Sequence, residues 1–268
     1  MHEEGGLEFG ADELIAVRRL AEELARAAPE RLSRRTRPSR RPGRLDVRRT
    51  LSRSLRSDGE AVRPAFVDRS RRPRRLLLLC DVSGSMERYS RTLLGSMQAA
   101  VAAGIRAEAF VFATSLTRLT GTLSARDVAQ ALQRAHAEVP DWSGGTRIGA
   151  ALAEFNRRWA RLGLARGSIV IIVSDGWDRG DPAVLVDELE RVRRQARRLI
   201  WLNPRPIELD RQPLAIGMRA ALPHVDDFIP GGDARAITGL ASLISGLGSG
   251  RPLRRQRPLS SLAASGVR

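Results

Sequence analysis

Apolar residues along this chain arrive in two rhythms, and the switch between them marks out the elements. Leu76–Cys80 is an unbroken apolar run that stops at an acid, Asp81, with Ser83-Gly84-Ser85 close behind. Four to eight apolar residues bounded by a turn signal suit a strand buried on both faces, as in a parallel sheet. A Leu-rich run also suits a helix, but the Ser-Gly-Ser turn would break such a helix early. Ile169–Val173 repeats the pattern and stops at Ser174-Asp175. Ala107–Ala113, Leu199–Leu202 and Val225–Ile229 read as further strands, and Leu116–Thr120 as a short one placed to pair antiparallel with its predecessor. Residues 88–103, 125–137, 147–162, 182–197, 213–221 and 235–245 read as helices. Such alternation predicts an α/β fold: a doubly wound, mostly parallel sheet with helices on both faces and one short antiparallel strand.

On either side of residues 74–246 the pattern weakens. Leu14, Val17, Ala21, Leu24 and Ala28 recur at helical spacing behind Asp12 and Glu13, so residues 1–30 read as an amphipathic helical segment. Arg31–Arg44 is Arg, Ser, Pro and Gly with scarcely an apolar residue, which predicts a disordered linker. Leu45, Val47, Leu51 and Leu55 return near helical spacing, Ser57-Asp58-Gly59 makes a turn, and Ala65-Phe66-Val67 predicts a short edge strand. Residues 31–73 thus form an Arg-rich linker or pre-domain segment, 74–246 the folded domain, and 247–268 a disordered basic tail.

The net charge of +16 sharpens this division, since every one of the 46 basic residues is arginine. Residues 31–75 hold seventeen Arg against four acids, and residues 251–268 hold five Arg and no acid. Residues 1–30 run the other way, with eight acids against three Arg, so the folded stretch is nearly neutral. Arg clusters bind phosphates and give salt-dependent affinity for nucleic acid. No groove-reading motif accompanies them here, and Phe66 is the sole aromatic among residues 31–75. That favours a solvated linker touching an acidic partner over a nucleic-acid surface. The single cysteine, Cys80, lies inside an apolar strand and reads as a core residue, excluding an intrachain disulfide or a thiolate zinc site. No leader pattern opens the chain and no run of about 18 apolar residues occurs, so no membrane span and a cytoplasmic location are expected.

Asp81, Ser83 and Ser85 offer oxygen alone, two residues apart, at the carboxyl end of a central strand, where open α/β sheets bind ligands. Hard divalent cations such as Mg²⁺ take oxygen ligands. Two more loops fall where such a site would need them. Pro140–Thr146 precedes a helix, with Gly144 and Gly145 allowing close backbone approach and Thr146 offering a hydroxyl. Asp175 ends the second apolar strand, and if the two strands are neighbours it faces Asp81 across one crevice. Buried like charges repel, and a divalent cation explains the pair. The same acids and hydroxyls also read as caps of strand ends and helices. Asp178 and Asp181 read either as groups supporting the metal ligands from behind or, preferably, as an acidic loop capping the helix at Pro182. Trp142 and Trp177 flank two of the loops, either as an aromatic rim for a partner or as loop packing. Trp159 and Trp201 read as core, and His136 and His224 as incidental.

These loops carry a resemblance. DVSGS, a Gly-Gly-Thr at a helix start, and an apolar strand ending in Ser-Asp-Gly resemble, in order, the three motifs of the metal-ion-dependent adhesion site (MIDAS) of von Willebrand factor A (VWA) domains. Asp81–Tyr89 (DVSGSMERY), Val139–Gly149 (VPDWSGGTRIG), Ser174–Pro182 (SDGWDRGDP), Trp201–Pro204 (WLNP) and Leu222–Pro230 (LPHVDDFIP) are similar to the CoxE family. Asp46–Gly59 resembles that family's Arg-rich pre-domain segment, and the likeness covers roughly residues 12–245. CoxE proteins are VWA-containing accessory proteins associated with carbon monoxide dehydrogenase-type molybdenum enzymes.

The resemblance implies that Ser83, Ser85 and Thr146 bind Mg²⁺ or Mn²⁺ through hydroxyls. Asp81 and Asp175 then act commonly through water, which leaves the ion electrophilic toward a partner's Asp or Glu. It implies a non-enzymatic, metal-dependent protein-binding module, an adaptor between a MoxR-type AAA+ ATPase and a molybdenum hydroxylase client in maturation. Family members usually carry a longer amino-terminal helical region than this sequence shows. Two alternatives stay open. A Mg²⁺-dependent phosphohydrolase would use the same cation, although the chain has no P-loop, no lysine, and no second acid, His or Cys in the DVSGS loop. Nucleic-acid binding would use the Arg-rich flanks.

Overall fold

The computed structural model describes residues 30–57, 64–104, 106–125, 127–142, 144–205, 215–231, 240, 242–244 and 246–247. The helix expected within residues 1–30, the turn at Asp58-Gly59, most of the helix expected at 235–245 and nearly all of the tail lie outside them. The chain divides into two compact units, Glu30–Pro73 and the remainder.

The smaller unit runs β1 (Glu30–Ser39), β2 (Arg44–Leu45), helix α1 (Val47–Ser54) and β3 (Phe66–Pro73). Strand β3 lies between β1 and β2 and is antiparallel to both. The disordered linker expected over Arg31–Arg44 is therefore a strand for most of its length, paired from Glu30↔Pro73 to Ser39↔Phe66. Ladder hydrogen bonds join backbone groups and need no apolar side chain, so an Arg-rich segment pairs where a partner strand is available. The edge strand expected at Ala65–Val67 is longer than its apolar residues indicate, and it holds the centre of this sheet. Asp46 caps α1, accepting from the Arg49 N–H at 3.1 Å. No residue of α1 is buried, so Val47 and Leu51 stay in solvent.

The larger unit alternates strand and helix as its apolar pattern predicts. Its elements are β4 (Leu76–Asp81), α2 (Glu87–Ala102), β5 (Ala107–Phe112), β6 (Leu116–Arg118), α3 (Val128–Glu138), α4 (Ile148–Phe155), β7 (Ile169–Val173), α5 (Pro182–Gln195), β8 (Arg198–Asn203), α6 (Ile216–Ala221) and β9 (Asp227–Pro230). They build a six-stranded sheet in the order β6-β5-β4-β7-β8-β9. Every neighbouring pair is parallel except β5–β6. Strands β4 and β7 are the central pair and every residue in them is buried. Their side chains alternate between two cores. Leu77, Leu79, Val170 and Ile172 join Phe110, Phe155 and Trp201 on one face of the sheet. Leu76, Leu78, Cys80, Ile169, Ile171 and Val173 join Met86, Leu94 and Leu132 on the other. Because helices cover both faces, these strands are apolar up to Asp81 at the end of β4, which is why they read as continuous runs.

Helix ends follow local chemistry. The side chain of Asp127 accepts from the Gln130 N–H at 3.0 Å and starts α3, three residues beyond the expected start at 125. Helix α4 passes into a π-helical turn, Asn156–Ala160. That turn sets Trp159 against Phe110, with ring centroids 5.1 Å apart at 70°. Among the described residues no helix is long and apolar enough to cross a membrane.

Candidate functional site

Strands β4 and β7 are paired from Leu76↔Ile169 to Cys80↔Val173, so they end side by side. From β4 the chain crosses to β5 on one flank, and from β7 it crosses to β8 on the other. The carboxyl ends of β4 and β7 therefore border the crevice where an open sheet of this kind receives ligands. Asp81 is the last residue of β4, and Asp175 lies two residues beyond β7.

Both carboxylates are buried. Asp81 Oδ1 accepts from the Ser83 N–H at 2.9 Å, and its Oδ2 accepts from the Ser174 hydroxyl at 2.6 Å. Burial pushes the Asp81 carboxyl up to about 6 against these two hydrogen bonds, and the neighbouring charge of Asp175 adds to the rise. Ser83 Oγ and Ser85 Oγ lie 3.4 Å apart on the turn that opens α2. Burial also pushes the Cys80 thiol upward, so it stays neutral within the core.

The second loop is moored from both sides. Asp141 accepts from the backbone N–H groups of Thr114 and Ser115 at 2.8 and 2.9 Å, and from both of their hydroxyls. The Arg147 N–H donates to Ala113 O at 3.0 Å. Close approach makes glycine necessary at 144, where an added Cβ would sit 2.9 Å from Asp141 O. Thr146 is buried at the end of this loop, and its carbonyl accepts from the Arg179 N–H at 2.9 Å.

The third loop folds back on itself. Asp175 Oδ1 accepts from the Trp177 N–H at 3.1 Å, while its Oδ2 accepts from Arg205 Nη1 at 3.1 Å. Gly176 has φ +78°, and a Cβ there would stand 2.7 Å from Met218 Cβ in α6. Asp178 accepts from the Ile148, Gly149 and Gly180 N–H groups. It therefore caps α4 and ties the third loop to the second, whereas the sequence assigns it to the helix at Pro182. Asp181 does cap that helix, α5, by accepting from the Ala183 N–H at 2.8 Å.

Ser83, Ser85 and Thr146 line one open pocket of about 280 Å³ together with Trp177, Asp178 and Arg179. Asp81 and Asp175 stand buried at the strand ends, close enough for their charges to interact. Among the described residues no group of three or more His, Cys, Asp or Glu side chains is placed to hold a metal. Any cation here would draw on hydroxyls. The donors are all oxygen, and a positive charge would offset the cost of ionising buried Asp81, so the set fits a hard divalent cation. Trp177 is 63% exposed at the pocket, whereas Trp142 packs against the core and His136, with a ring-centroid distance of 4.7 Å. His224 is not incidental: its Nδ1 lies 2.8 Å from Glu190 Oε1. Sequence reasoning missed the roles of Ser174 and Arg205. A hydroxyl directly before Asp175 was the available signal for the first, and the second gave none.

A family model described as VWA domain containing CoxE-like protein matches residues 16–237. Among curated proteins nothing matches the sequence. Solved structures that are similar include von Willebrand factor type A from Catenulispora acidiphila, with 16% identity and a TM-score of 0.46 over 68% of this chain and 44% of that one. An aerotolerance-related membrane protein from Bacteroides fragilis NCTC 9343, carrying multiple mutations to serines, shows 16% identity and a TM-score of 0.40 over 63% of this chain and 98% of that one. Proximal thread matrix protein 1 from the mussel byssus shows 16% identity and a TM-score of 0.42 over 66% of this chain and 47% of that one.

Proposed function

Because the chain belongs to the family of CoxE-like proteins with a VWA domain, we propose that it is a metal-dependent protein-binding adaptor of the cytoplasm rather than an enzyme. The observation that carries this reading is the meeting of three hydroxyls, from two separate loops, in one pocket beside two buried carboxylates. Ser83, Ser85 and Thr146 would hold Mg²⁺ or Mn²⁺, and Asp81 and Asp175 would balance its charge from the strand ends. When bound, the ion supplies an electrophilic docking point for a carboxylate of another protein.

The chain's own residues prepare that role. Ser174 and the Ser83 N–H hold Asp81 in place, and Arg205 and the Trp177 N–H hold Asp175. The exposed indole of Trp177 and the exposed Arg179 offer a partner's acidic segment an apolar surface and a positive charge at the same opening. Resemblance to the CoxE family supplies the partners: a MoxR-type AAA+ ATPase, and a molybdenum hydroxylase of the carbon monoxide dehydrogenase type as client during maturation. Pull-down of the ATPase by the full chain tests the reading. Asp81→Ala, or chelation of divalent cations, is expected to abolish capture while leaving the far-UV circular dichroism melt cooperative. Undiminished capture in both experiments would remove the metal from the mechanism.

A further inference from the structure

The two buried carboxylates are neutralised unequally. Among the described residues Asp81 accepts from neutral groups, the Ser174 hydroxyl and the Ser83 N–H. Asp175 accepts from a guanidinium, and its side chain is 2% exposed where that of Arg205 is 44% exposed. The positive charge therefore reaches a buried anion from the solvent side. Its position is set locally. Asn203, the buried last residue of β8, accepts the Arg205 N–H on its Oδ1 at 3.0 Å, which fixes the turn from which the side chain extends.

We propose that Arg205 is the built-in competitor of the divalent cation and sets the affinity of the site for it. This rests on the metal-binding reading above. A cation drawing on Asp175 must share one carboxylate with a guanidinium only 3.1 Å from its Oδ2. The two positive charges repel, and partial exposure of Arg205 screens that repulsion without abolishing it. Without a cation, Arg205 holds Asp175. As a cation enters, the guanidinium withdraws to solvent, which its flexible and half-exposed stem permits.

Calorimetric titration of the full chain with Mn²⁺ tests this, comparing wild type with Arg205→Gln and Arg205→Lys. Arg205→Gln is expected to bind Mn²⁺ about 10-fold more tightly at low ionic strength, with the gain shrinking as salt is added. Arg205→Lys keeps the charge and is expected to stay within about 3-fold of wild type. A thermal melt in EDTA gives a second readout: Arg205→Gln is expected to melt below wild type, and Mn²⁺ to reverse the order. Equal Mn²⁺ affinity in wild type and Arg205→Gln would overturn the proposal, leaving the metal site intact and Arg205 a loop staple. Absence of Mn²⁺ binding in all three would overturn both the proposal and the metal-binding reading.

Discussion

The carboxyl ends of β4 and β7 look alike in sequence and differ in structure. Each strand is an apolar run followed by an acid, and both acids are buried. At the β4 end, Asp81 is held by neutral donors and its ionisation is opposed by burial, which takes its carboxyl up to about 6. At the β7 end, Asp175 has a guanidinium on one oxygen. Among the described residues, then, the donors to Asp81 are neutral, whereas Asp175 has a guanidinium. The difference teaches that the site is polarised before any ligand arrives, with its unmet demand for charge at Asp81.

The largest effect expected in testing this contrast is on the loop that carries Asp175. Gly176→Ala forces a side chain into φ +78° and into contact with Met218. It is expected to cost about 3 kcal/mol in a urea titration. Thr146→Ala removes one of the three hydroxyls that line the pocket, and should weaken Mn²⁺ binding roughly 100-fold by calorimetry with little change in stability. An unchanged affinity would move the cation away from the second loop.

The Asp81 end makes a pH prediction whose sign follows from its raised carboxyl. The native chain binds this proton more tightly than the unfolded chain does, so its contribution to stability is present below the unfolded value of 3.8 and is lost as pH rises through about 6. Melts of the metal-free protein are expected to lose on the order of 2 kcal/mol across that window from this group. Asp81→Asn is expected to flatten the profile, and an equally steep one in the variant would assign the pH dependence elsewhere. The smallest effect concerns the link between loops: Asp178→Ala should cost about 1 kcal/mol through loss of the α4 cap. Hydrogen exchange at the Ile148 and Gly149 amides would register it.

The α/β unit was legible because its strands are buried on both faces. Leu76–Cys80 and Ile169–Val173 had no polar position to disguise them, and their turns lay in plain letters at Ser83-Gly84-Ser85 and Ser174-Asp175-Gly176. In the Glu30–Pro73 unit the helix at Val47–Ser54 and the start of β3 were legible, but the strand over Arg31–Ser39 was not, for the opposite reason. Its ladder between β1 and β3 is a backbone property, and an Arg-Ser-Pro strand offers no apolar alternation from which to read it. Among the candidate site residues, Asp81 and Ser83 announced themselves through local spacing. Arg205 could not, because its partner Asp175 is thirty residues away and guanidiniums are common in this chain.

By itself the sequence determined the alternation of strand and helix, the class of fold, and the chemistry of the donors, because side-chain type and local period are written residue by residue. Tertiary structure alone decided that β4 and β7 are neighbours, that Asp178 caps α4 instead of α5, and that a solvent-facing arginine neutralises one buried acid but not the other. Those facts depend on the distance between residues far apart in the chain, and no local pattern encodes such a distance.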